Sequence, residues 1–301
     1  MFSRLFATAG LSLDRLRALV EVGACGSIVN AAGGDPVKQS QFSRQIKELE
    51  DFFQIRLIER QGKGIRLTAS GKELARISRF FLLGLSNFQR GSLAEEQTFR
   101  LGGSATAIEE FLLPVLANRQ DSESAARYAV EVVSDDTIER RLHDLTLDFG
   151  VTTATAISRP LQMMEIGAWR LILWVPRDLF QGVAQVIQAF KQKRLPLVLA
   201  VQELPTLNHE VLRGYEVRVI CETFSQARTI LEKRRAATFL PDFLEPRGGE
   251  TEFLALRIPP IAALVFQFRL AWNPRLLRLN PHAGRQRDWL AATISAQIRA
   301  N

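Results

Sequence analysis

The 301-residue chain is predicted to be α/β overall, with a winged helix-turn-helix at its start, a long amphipathic helix after it, and then a larger domain. Three observations predict this. Residues 13–52 place apolar side chains at helical spacing between glycine turns, and a short basic hairpin follows. Residues 69–90 repeat large apolar side chains every three or four positions. Residues 98–301 alternate strand-like and helix-like runs, the pattern of a largely parallel sheet.

In the first part, Leu13, Leu16, Leu19 and Val20 share one helix, which Gly23 and Gly26 are expected to end. Ser27 can cap a second short helix over 28–32, where Ala31 and Ala32 permit close packing. Gly33-Gly34-Asp35-Pro36 reads as a turn, and a third helix is expected from Lys38 to Phe52. Phe42, Ile46 and Leu49 form its apolar face. Ser40, Ser43, Arg44 and Lys47 share the opposite arc of about 100°, with Gln39 at its edge. This arc offers hydroxyl, guanidinium, ammonium and amide groups and no carboxylate, a set that donates to phosphates and reads base edges. A plain amphipathic helix would show a similar wet face, so the context decides. Residues 55–60 and 65–68 flank Gln61-Gly62-Lys63-Gly64, which makes a β-hairpin carrying Arg60, Lys63 and Arg66. Such a wing can touch the sugar-phosphate backbone beside the groove-reading helix.

The charge distribution agrees. Residues 1–92 hold 14 Lys/Arg against 8 Asp/Glu, whereas the whole chain holds 39 against 32 and is +7 in total. Most of the excess positive charge therefore lies in the first third, as suits a module facing a polyanion joined to a nearly neutral one.

Other classes find little support in the composition. The two cysteines, Cys25 and Cys221, are too few and too far apart for a disulfide framework, and inert positions are expected for both. The three histidines, His143, His209 and His282, have no metal-ligand spacing, and neither a phosphate-binding loop nor a nucleophile elbow occurs. No enzyme activity, metal or cofactor is expected. No apolar run approaches the roughly 18 residues of a membrane span. Leu5 and Phe6 are too short an apolar core for a secretory signal, so residues 1–11 are expected to be a loose extension of a cytoplasmic protein.

From Ala69 to about Arg90 the pattern is helical, with Thr68 as the expected cap. Leu74, Ile77, Phe81, Leu85 and Phe88 share an arc of about 80°. A lone helix cannot bury such a stripe, and pairing with the same helix of a second copy is the simplest cover. A core helix packed within one subunit is the other way to bury it.

Taken in order, these residues resemble the LysR-type transcriptional regulators. The match runs from Leu13 to Gly71 through Gly26-Ser27, Ala31-Ala32, Phe42-Ser43-Arg44-Gln45-Ile46, Leu49-Glu50, Leu57-Ile58-Glu59-Arg60 and Leu67-Thr68-Ala69-Ser70-Gly71. The resemblance implies base-proximal roles for Gln39, Ser40 and Ser43, and backbone contacts for Arg44 and the wing. Departures occur at Asp35, Lys38, Gln54 and Ile58. The family usually has a Ser or Thr helix cap where Lys38 stands, and losing it should cost about 1 kcal/mol. Glycine is usual where Gln54 stands.

The resemblance extends to residues 98–301 as a two-lobed effector domain of periplasmic-binding-protein type. It implies domains at 1–68, 69–97 and 98–301, with lobe I at 98–173 and 273–301 and lobe II at 174–272. The crossings then fall near Leu173 and near Ala271. A small-molecule effector is expected between the lobes, with Ser104, Thr106, Ser134, Asp135, Gln202 and Glu203 at matching positions. Asp135 and Glu203 would repel a carboxylate, so a cationic or neutral effector, or none, is expected. Double-stranded DNA, a second copy in a homodimer or dimer of dimers, and RNA polymerase are the implied partners, and no membrane. The competing expectation is a solute-binding or protein-interaction protein with a vestigial helix-turn-helix.

Overall fold

The structure, a computed structural model, describes residues 5, 9–61, 64–93, 97–119, 126–180, 182–203, 214–233, 236–280 and 282–300. It divides into two compact units, Met1–Glu96 and Gln97–Asn301.

The first unit begins with α1 (Leu13–Cys25), capped by Ser12, whose hydroxyl accepts from Arg15 N at 3.3 Å. The helix ends on Gly26 at φ 71°, a left-handed position that favours glycine. Gly23 stays inside the helix instead of ending it, and a methyl there would press on Leu67 of a neighbouring strand at 2.9 Å. Ser27 caps α2 (Ile28–Ala31) through Asn30 N.

α3 spans Pro36–Phe53 and so starts two residues before the expected position. Asp35 is its cap, accepting from Val37 N at 2.8 Å and Lys38 N at 3.4 Å, and Pro36 fills the first helical position. The cap thought lost at Lys38 is therefore present three residues earlier. Gln54 closes the helix in the left-handed region at φ 55°, where the resembled family has glycine.

Strands β1 (Ile58–Gln61) and β2 (Gly64–Leu67) pair antiparallel, with Glu59 opposite Arg66. Glu50 ties this hairpin to α3, since its carboxylate accepts from Leu57 N at 2.7 Å and Ile58 N at 3.1 Å. α4 (Ala69–Leu93) follows, with Thr68 Oγ1 accepting from Gly71 N at 3.0 Å. Leu16, Leu19, Val22, Ile28, Ile46, Leu49, Leu57 and Leu67 form the core of this unit. Each such side chain contributes roughly 1.5–3 kcal/mol by leaving water.

The second unit holds two five-stranded sheets. Its chain order is β3 (Gln97–Gly103), then α5 (Ala105–Ala107), which continues through a π-turn at Ile108–Leu112 into α6 (Leu113–Ala117). Next come β4 (Ala126–Val132), α7 (Asp135–His143), β5 (Phe149–Thr152), β6 (Gln162–Trp169) and β7 (Leu171–Pro176). They are followed by α8 (Val183–Lys191), β8 (Leu197–Ala200), β9 (Val217–Cys221), α9 (Phe224–Glu232) and β10 (Ala237–Pro241). The chain finishes with α10 (Gly249–Glu252), β11 (Phe253–Leu256), α11 (Pro259–Ala262), β12 (Phe266–Trp272), α12 (Pro274–Leu279) and α13 (Ala283–Ala300).

One sheet has the order β4-β3-β5-β12-β6 and the other β11-β7-β10-β8-β9. The chain first passes between sheets at Arg170, between β6 and β7. It returns between β11 and β12. Ala271 pairs with Gly150 and Met163 inside the first sheet, so the return lies at 257–265 and not at Ala271. No helix among the described residues is long and apolar enough to cross a membrane.

Candidate nucleic-acid interface and interlobe site

α3 sorts its residues by the two faces the sequence dictates. Ile46 and Leu49 are fully buried and Phe42 packs against them, whereas Ser40, Ser43, Arg44 and Lys47 are exposed. Gln39 is half-buried. The open face is shifted the other way, because Pro36, Val37, Ser40, Gln41 and Arg44 line a surface depression of about 520 Å³. Val37 is 76% exposed in the first turn of the helix. Neither Val37 nor Gln41 was among the expected site residues. The Asp-Pro pair before Val37 is a helix-start signal that would have brought Val37 into the helix, whereas Gln41 lay inside the expected helix but outside the arc chosen there.

Arg44 reaches Glu48 only at 3.9 Å, and Glu48 is itself held by Arg15 at 2.6 Å. The Arg44 guanidinium thus stands over the open face. Arg66 differs, because its Nε donates to Glu59 at 2.7 Å across the hairpin. Of Arg60 only the backbone place in β1 is described, and Lys63 lies outside the described residues.

On α4, Ile77, Phe81, Leu85 and Phe88 are exposed large apolar side chains. Leu74 is a correction to the expected stripe, since it packs with Leu82 against the core of its own unit. The first turn of α4 crosses α1, and that crossing claims Leu74 before any second copy can.

In the second unit, Ser104 caps α5 by accepting from Ala107 N at 3.2 Å. Thr106 is buried, and both its N–H and its hydroxyl donate to the Glu203 carboxylate, at 2.9 and 2.7 Å. Glu203 also accepts from Phe224 N, the first helical residue of α9, at 2.7 Å. Beside this contact Ser225 donates to Glu109 at 2.6 Å, and Arg228 lies 3.8 Å from Glu110. Burial pushes the Glu110 carboxyl up, Arg228 opposes the shift and Glu109 adds to it.

Asp135 belongs to a separate network. It accepts from the Thr152 hydroxyl at 2.7 Å and from Thr153 N and Oγ1 at 3.2 and 2.8 Å. Ser134 turns to Thr137, and Gln202 is exposed. The expected effector residues thus fall into two clusters, with only Thr106 and Glu203 in direct contact. Cys221 donates to Leu199 O at 3.4 Å, and burial together with the Glu203 charge pushes its thiol up, so it is a poor nucleophile. Cys25 is free and exposed.

Residues 13–72 match the family described as "Bacterial regulatory helix-turn-helix protein, lysR family". The fold of the rest agrees: ArgP from Mycobacterium tuberculosis superposes with a TM-score of 0.67, covering 94% of this chain and 97% of that one, at 18% identity. Residues 13–72 are thus similar to a LysR-type helix-turn-helix, and the chain as a whole shares the ArgP fold. A relative from Synechococcus elongatus described as "Probable nitrogen assimilation transcriptional activator" is 27% identical over 239 residues, 68% of this chain and 77% of the relative. The regulator HdfR of Shigella boydii is 25% identical over 170 residues, 54% of this chain and 61% of that protein. LysG from Corynebacterium glutamicum, solved with bound effector Arg, shares the fold at a TM-score of 0.60 and 17% identity, covering 92% of this chain and 99% of that one.

Proposed function

We propose that this chain is a LysR-type regulator that reads double-stranded DNA with the first two turns of α3. The observation that carries this is the open α3 face: Val37, Ser40, Gln41, Ser43, Arg44 and Lys47 are exposed and present no carboxylate. Val37 offers methyl groups to a thymine methyl, and Ser40, Gln41 and Ser43 offer hydrogen-bonding groups to base edges. Gln39, half-buried, stands at the rim. Arg44 and Lys47 are assigned to phosphates, and so by sequence are Arg60, Lys63 and Arg66 of the wing, with Arg66 first having to leave Glu59.

Ile77, Phe81, Leu85 and Phe88 on α4 are assigned to self-association, as a homodimer or a dimer of dimers that sets two α3 helices in successive major grooves. A small molecule between the lobes controls the assembly, and RNA polymerase reads the outcome on cytoplasmic DNA. Solute binding alone, the competing expectation, leaves the open α3 face without a role.

Retardation of the DNA upstream of its own gene by the full chain tests the reading, and no shift at low salt would overturn it. Arg44→Ala should weaken binding to all sequences and flatten the slope of log K against log salt by about 0.9.

A further inference from the structure

We propose that Glu203 is the chain's own anion in the interlobe cleft, bridging the two lobes and barring free carboxylates from that place. The proposal rests on reading this cleft as the regulator's control site. Thr106 belongs to the helix that leaves β3, in the first sheet. Glu203 follows β8, and Phe224 starts the helix after β9, both in the second sheet. One carboxylate therefore ties the first turn of α5 to that of α9.

The donors it meets are those that an anionic ligand would need. The first turn of each helix leaves N–H groups without intrahelical partners, and aligned peptide dipoles favour negative charge there. At α5, Ser104 satisfies Ala107 N and Glu203 satisfies Thr106 N. At α9, Thr223 satisfies Gln226 N and Glu203 satisfies Phe224 N. Both carboxylate oxygens are engaged, one on Thr106 N and the other on the Thr106 hydroxyl and Phe224 N.

A free carboxylate would have to displace a tethered one, whose local concentration is set by a short chain and not by the solution. It would also approach Glu109 and Glu110, which face α9 beside the contact. A cationic or neutral polar molecule meets neither obstacle. This device is absent from any single stretch of sequence, because Thr106 and Glu203 are 97 positions apart.

The test is a thermal melt of the full chain followed by tryptophan fluorescence. Glu203→Ala removes the equivalent of acetate from the site. Its midpoint should fall by about 3 to 6 °C, the scale expected for loss of charge-assisted hydrogen bonds in a unit of this size. Sodium acetate at tens of millimolar should restore most of that loss relative to sodium chloride of equal ionic strength. It should leave the wild-type midpoint unchanged. Failure of acetate to raise the midpoint of E203A, or an equal rise in the wild type, overturns the proposal.

Glu203→Gln keeps the volume and loses the charge, so it serves if the alanine variant does not fold. It should melt below the wild type and gain nothing from acetate, and a wild-type midpoint would overturn the role of the charge. DNA retardation by the wild type is scored separately. Its absence would remove the regulator reading and leave the acetate result standing.

Discussion

Asp35 and Lys38 make opposite predictions for where α3 begins. Asp35 accepts from Val37 N and Lys38 N, which satisfies two of the four orphan donors of α3. Asp35→Ala removes both bonds, at about 1 kcal/mol for a cap, and also removes a negative charge from a helix N-terminus, worth a further 0.3 to 1 kcal/mol or so. The sum is about 1 to 2 kcal/mol. In a first unit of fewer than one hundred residues this lowers the melting midpoint by roughly 5 to 10 °C.

Asp35→Ser keeps a hydroxyl acceptor and should stay within about 0.5 kcal/mol of the wild type. Lys38→Ser, which would install a cap worth about 1 kcal/mol if the helix started there, should do little, because Lys38 is the third residue inside the helix. All four tryptophans, Trp169, Trp174, Trp272 and Trp289, lie in the second unit. Circular dichroism at the helical band therefore carries the signal, and tryptophan fluorescence serves as an internal control that should not move. A K38S variant that melts several degrees higher, beside an unchanged D35A, would refute the reasoning.

Gly71→Ala should be the most damaging single methyl in the first unit, because a Cβ there would lie 2.1 Å from the Leu57 carbonyl oxygen. Overpacking against backbone costs about 3 kcal/mol or more, so loss of soluble protein or a midpoint lower by over 10 °C is expected in a melt. Gln54→Gly should stabilise by about 0.5 to 1 kcal/mol, since Gln54 holds φ at 55° and glycine adopts that region freely; unfolding in urea measures it.

Asp148 is buried and accepts from Arg100 N at 2.7 Å, yet burial outweighs that bond and pushes its carboxyl up. The native state then holds this proton more tightly than the unfolded chain. Stability contributed by Asp148 falls as pH rises from the ordinary carboxylate value through the raised one. Asp148→Asn should therefore melt above the wild type at pH 7, with the gap closing as the pH drops below about 4.

Much of the first unit was legible because one periodicity served one purpose. Leu16, Leu19, Ile46 and Leu49 were placed in a core by spacing alone, and the pairing of β1 with β2 followed from the hairpin pattern. The start of α3 was misjudged because Gly33-Gly34-Asp35-Pro36 satisfies two rules at once. The same Asp-Pro pair makes turns and starts helices, and the structure uses it for both. Leu74 fitted the arc of the α4 stripe, but an arc does not say which neighbour arrives first.

The second unit was harder to read. β6 carries Glu165 and Gly167 within an irregular pattern and β11 has four residues, so neither shows clean alternation. Ser104, Thr106, Ser134, Asp135, Gln202 and Glu203 came from resemblance, and only tertiary geometry could sort them into two networks.

The contact of Gly71 with the Leu57 carbonyl also governs how motion enters the helix-turn-helix. With no room for even a methyl group, and with Thr68 bonding both Leu57 O and Gly71 N, the root of α4 has no hinge. The helix acts as a stiff lever clamped at one end. A twist applied along its exposed apolar stripe would turn the clamp, and the open face of α3 would turn with it.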